Sequence, residues 1–100
     1  MTVREIPGVQ RPVVRFARSR GWLAWKMKIE GIDGCPDYWF FRAGTLLIVE
    51  FKAPGKTRTV QQERRAADLI KQGFTVHVID DAEAGCALLR SYDLDPLAGL

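Results

Sequence analysis

The sequence has little of what most catalytic and metal centres are built from. It holds a single histidine, His77, and two cysteines, Cys35 and Cys86. A zinc site needs several His or Cys ligands at close spacing, and neither cysteine has a second one nearby. Both are therefore expected as buried free thiols. His77 lies within the apolar run "FTVHVI". No Ser-His-Asp arrangement surrounds it, and it reads as a packed or edge residue of a strand. No apolar run approaches the roughly 20 residues of a membrane span, and the opening "MTVREIPG" lacks the apolar core of a signal peptide. The expected location is the cytoplasm, with no membrane partner. Internal repeats, linkers and low-complexity segments are also missing.

What remains is the composition of a soluble globular protein, 47% hydrophobic and 27% charged over 100 residues. That length suggests one domain, residues 1–100, with one core. The net charge of +3 is unevenly spread. Residues 1–71 hold 14 Lys and Arg against 7 Asp and Glu, while residues 72–100 hold 1 against 5. One end of the molecule is thus basic, as either a phosphate-binding surface or an ordinary solvated face would be.

Hydrophobic periodicity orders the elements. Val9, Val13, Phe16 and Ala17 share one stripe of a first helix, with Arg11, Arg15 and Arg18 on another and Gly21 as its stop. "WLAWKMK" alternates like a strand, "EGIDGCP" is a loop, and "DYWFF" and "TLLIVEFK" are strands joined by "RAG". "APGKTR" is a second loop, and residues 60–72 are helical up to Gly73. "FTVHVI" is a fourth strand and "DAEAGCALLRSY" a last helix. The expected fold class is α/β, in the order αβββαβα, with a central four-stranded mixed sheet flanked by helices. The first three strands form an antiparallel meander, and the third and fourth run parallel through a helical crossover.

One feature of that sheet needs a chemical explanation. The strand "TLLIVEFK" is apolar until Glu50 and Lys52. A two-residue turn at Ala43-Gly44 pairs Arg42 with Thr45 and, at the same register, Asp37 with Glu50. Alternation then puts Asp37, Glu50 and Lys52 on one face, which Trp39, Phe41, Leu46 and Ile48 continue into the core. Two carboxylates roughly 5 Å apart repel by about 3 kcal/mol at an effective dielectric of 20. A divalent cation relieves that repulsion, and carboxylate oxygens are the ligands Mg²⁺ prefers. An isolated E-x-K would be read as a strand-end salt bridge. The preceding G-x-P-D and the hairpin register favour a site.

"GCPD" at 34–37, "EFK" at 50–52, Gln62 and Gly73 together resemble the VRR-NUC branch of the PD-(D/E)XK nucleases, over roughly residues 9 to 80. The resemblance is to the stand-alone phage and bacterial type. It implies a restriction endonuclease-like core and phosphodiester hydrolysis with Mg²⁺ or Mn²⁺. It implies Asp37 and Glu50 as metal ligands, helped by the backbone carbonyl of Phe51, with Lys52 orienting the attacking water. Gln62 is the further active-site position of the family, and equally the N3 residue of a capping box begun by Thr59. Family members often carry a helical Glu near the N-terminus, for which Glu5 is the nearest candidate, although Pro7 and Gly8 break a helix there.

Lys26, Lys28, Lys56, Arg58, Arg64 and Arg65 are the candidate phosphate contacts, acting by charge without base readout. Trp22 and Trp25 read as core or interface residues. The function expected is a metal-dependent, structure-selective DNA endonuclease acting on branched DNA or Holliday junctions. A non-catalytic nucleic-acid-binding module on the same fold and an RNA-directed nuclease are the alternatives. A homodimer is expected because Tyr38 and Phe40, on the far face of the meander, need a cover that either the first helix or a second subunit would provide.

Overall fold

The computed structural model of the protein describes residues 8–93. Seven elements follow in the expected order: α1 Gln10–Ser19, β1 Leu23–Lys26, β2 Tyr38–Arg42, β3 Thr45–Phe51, α2 Val60–Lys71, β4 Val76–Ile79 and α3 Ala82–Arg90. They build one four-stranded sheet in the order β1-β2-β3-β4, antiparallel across the first three strands and parallel between β3 and β4. Among the described residues no helix is long and apolar enough to cross a membrane. Glu5 lies outside the described residues, as does most of the tail after Tyr92.

The hairpin register is the one its turn dictates. Ala43 and Gly44 have φ of 49° and 82°, the left-handed pair of a two-residue turn whose twist matches that of the strands. Arg42 faces Thr45 and Tyr38 faces Val49. The regular ladder stops there, so Asp37 is a bend residue just before β2 and Lys52 lies just after β3. β1 and β4 are shorter than their apolar runs, and Phe74 stays exposed ahead of β4.

The main core lies on the opposite face of the sheet from the one expected. Ala24, Tyr38, Phe40, Leu47, Val49 and Phe51 pack with Val13, Val14 and Ala17 of α1 and Leu89 of α3. Trp22 joins that core. α1 and α3 therefore cover Tyr38 and Phe40, and no second subunit is needed there. On the other face, α2 crosses over the β3–β4 half and buries Ala66 with Ile48 and Glu50. Trp39, Phe41 and Leu46 are only half-buried, and Leu23 and Trp25 beside them are exposed. Both cysteines are free and half-buried, and His77 is half-buried on the edge strand β4, where burial lowers its pKa.

Candidate active site

Glu50 is the penultimate residue of β3, beneath the start of α2, and its side chain is 0% exposed. Burial of a carboxylate in an apolar strand requires compensation. Neither oxygen accepts a hydrogen bond. Compensation comes from charge alone: Arg58 Nε stands 3.5 Å and Lys52 Nζ 3.9 Å from Oε2. Burial raises the Glu50 pKa, Arg58 and Lys52 pull it back, and the charges of Asp37 and Glu63 push it further up. Asp37, half-buried in the bend before β2, accepts a hydrogen bond from Phe51 N–H at 2.8 Å. Its carboxylate is thereby fixed against the residue that follows Glu50, and the two acidic groups sit close enough to oppose each other's ionisation.

Lys52 and Gln62 meet across the β3–α2 connection. Lys52 Nζ donates to Gln62 Oε1 at 2.5 Å. The same oxygen accepts from Thr59 N–H at 2.9 Å, while Gln62 N–H donates to Thr59 Oγ1 at 3.1 Å. The capping box and the contact with Lys52 therefore coexist in one side chain. The helix cap fixes the amide, and the amide fixes the ammonium.

Gly34 locks the acidic bend to the helix. Its φ is +81°, and a Cβ there would lie 2.4 Å from the Gln61 carbonyl carbon and 2.7 Å from Gln62 N. Only a residue without Cβ lets the bend carrying Asp37 rest on the first turn of α2. The left-handed turn "DG" before "CPD" was the signal in the sequence, but the close approach it permits is visible only in three dimensions.

The candidate phosphate contacts separate into groups. Arg58 lies at the carboxylate. Arg65 is half-buried and pairs with Asp68 at 3.0 Å along α2. Arg64, Lys56 and Lys28 are exposed. Lys26 pairs with Tyr38 in the ladder, so its Cβ is on the α1 side, away from the face of Glu50. The Phe51 N–H is taken by Asp37, and nothing in the structure tests the role of the Phe51 carbonyl.

Among the described residues no cluster of three or more His, Cys, Asp or Glu side chains exists. A cation at this place would be held by two carboxylates and would keep several waters, which suits a hard ion such as Mg²⁺. The fully buried Glu50 carboxylate, lacking any hydrogen-bond donor, fits such an ion.

A mixed sheet that brings an acidic pair and a lysine to the start of its crossover helix defines a nuclease-type fold. The chain is similar to a solved VRR_NUC domain, at 25% identity with a TM-score of 0.75, over 83% of this chain and 91% of that one. No protein-family model matches the chain, nor does any curated protein. The fold is therefore that of a VRR-NUC domain, and the likeness supports a nuclease-family function.

Proposed function

We propose that the protein is a divalent-metal-dependent DNA endonuclease that selects branched structures such as Holliday junctions. One observation carries this reading: the buried carboxylate of Glu50, Asp37 bound at Phe51 and the Gln62-held ammonium of Lys52 converge at one end of β3. Asp37 and Glu50 would hold Mg²⁺ or Mn²⁺, with the Phe51 carbonyl as a further ligand. The bound ion would supply Lewis-acid stabilisation of the scissile phosphate and make a nearby water more acidic. Lys52, its Nζ fixed by Gln62, keeps N–H donors for orienting that water. Arg64, Lys56 and Lys28, exposed around the site, would take neighbouring phosphates. No side-chain nucleophile with an adjacent base is present at this place, which agrees with direct attack by water.

The described chain has no separate element for reading base sequence, which favours recognition of DNA shape. The test is cleavage of junction, flap, duplex, single-stranded and RNA substrates side by side with Mg²⁺ and with Mn²⁺. The expected result is metal-dependent cutting of the junction in preference to linear duplex, lowered at least about 100-fold by Lys52→Ala. Absence of cutting in both metals would reduce the protein to a binding module. Preference for RNA would reassign the substrate.

A further inference from the structure

The two cations beside Glu50 are not equivalent. Lys52 has a fixed partner in Gln62 Oε1. Arg58 does not: its Nε is buried and makes no hydrogen bond, 3.5 Å from Glu50 Oε2. A guanidinium normally forms directed, often paired hydrogen bonds to a carboxylate. Here it supplies charge without such a bond. It also occupies the space next to the carboxylate that the proposed cation would need. A divalent ion and a guanidinium held within about 4 Å of each other repel strongly.

We infer that Arg58 is a stand-in for the cation in the metal-free protein, and that its guanidinium leaves Glu50 for a substrate phosphate when a divalent ion arrives. This rests on the reading of Glu50 as a metal ligand. Position supports the exchange. Arg58 is the last residue of the connecting loop, directly before the N-cap Thr59, so its backbone is anchored at the helix start. Its side chain is 23% exposed and thus reaches solvent as well as Glu50. The first turn of α2 already favours anions, so a phosphate drawn there meets Arg58 at the same place. Metal and nucleic acid would then favour each other's binding. The ion frees the guanidinium for phosphate, and phosphate removes the competing charge from the ion's site, since such coupling is reciprocal. Glu50 would remain neutralised at every stage, which a fully buried carboxylate requires.

The experiment measures Mn²⁺ affinity calorimetrically, without nucleic acid, for the wild type, Arg58→Gln and Glu50→Gln. The expected result is binding about fivefold or more tighter in Arg58→Gln and lost in Glu50→Gln. Unchanged or weaker binding in Arg58→Gln, with binding lost in Glu50→Gln, overturns the stand-in role and leaves the metal site intact. Wild-type affinity in Glu50→Gln overturns the metal site and this inference with it. A second measurement needs no variant. In the wild type, solvent exchange of the Arg58 Nε proton, followed by NMR, should speed up as diamagnetic Mg²⁺ saturates the site. An Nε proton that stays protected at saturation would mean that Arg58 remains on Glu50, which overturns the exchange.

Discussion

Gln62 shows how one side chain can serve the fold and the chemistry together. Its amide oxygen accepts from both Thr59 N–H and Lys52 Nζ. The two roles can be separated by substitution. Gln62→Glu keeps a capping box, so urea unfolding should shift by less than about 0.5 kcal/mol. It also adds a third carboxylate at Lys52, so cleavage should fall steeply. Gln62→Ala should lose about 1 kcal/mol of stability as well. Glu50 gives a prediction with a definite sign in pH. Its pKa is raised in the folded protein, mainly by burial. The folded state therefore holds the proton more tightly than the unfolded state. Stability of the metal-free protein should be greatest in acid and fall as pH rises above the ordinary carboxylate range, by at most about 1.4 kcal/mol per pH unit for this one group. Glu50→Gln should remove that part of the slope. It should also remove the rise in melting temperature that Mn²⁺ gives the wild type, since only a ligand of the native state stabilises it. Thermal melts across pH, with and without Mn²⁺, check both.

At the scale of elements, the bend before β2 and the first turn of α2 behave as one unit. Gly34→Ala would force a Cβ to 2.4 Å from the Gln61 backbone at a φ of +81°. Backbone strain and separation of the bend from the helix should cost about 2–4 kcal/mol in chemical unfolding. Any folded fraction should cleave poorly, because Asp37 and Gln62 would no longer share a frame. Element order and hairpin register were legible in the sequence, since helical and strand periods differ and Ala43-Gly44 admits few turns. So were the four residues that converge at the site. The identity of the core face was not. Both faces of β2 and β3 are apolar, Tyr38, Phe40, Leu47 and Val49 on one and Trp39, Phe41, Leu46 and Ile48 on the other. Alternation cannot rank them. Two helices, α1 and α3, cover the first face and α2 alone part of the second, and that is a property of the assembled layers. The contact between Arg58 and Glu50 was equally hidden, because it depends on how an eight-residue connection returns to the strand end.

For the whole molecule, the uncovered half of the α2 face bears on assembly. Leu23 and Trp25 are 51% and 53% exposed. They face Phe41 and Trp39 across the ladder, and the Trp25 and Phe41 rings meet edge to face at 5.2 Å. β1 is also an edge strand with one side of its backbone unpaired. An apolar patch on an edge is a candidate subunit contact. The case for a homodimer therefore moves from Tyr38 and Phe40, which α1 and α3 already cover, to Leu23, Trp25 and Phe41. A two-fold contact here would bury roughly 800 Å² per chain if it is of standard size. Its two active sites would be related by the same symmetry as the paired strands of a four-way junction. The wild type is expected to sediment as a dimer at micromolar concentration. Trp25→Asp should shift it to the monomer while leaving Mn²⁺ binding unchanged, since Trp25 is two strands away from Glu50 in the sheet order. With a junction substrate, the dimer should cut both strands at symmetric positions, and the Trp25→Asp monomer should nick one strand at a time. A wild type that is monomeric at every concentration and nicks only single strands would contradict the dimer, while the metal and lysine chemistry at Glu50 and Lys52 would be unaffected.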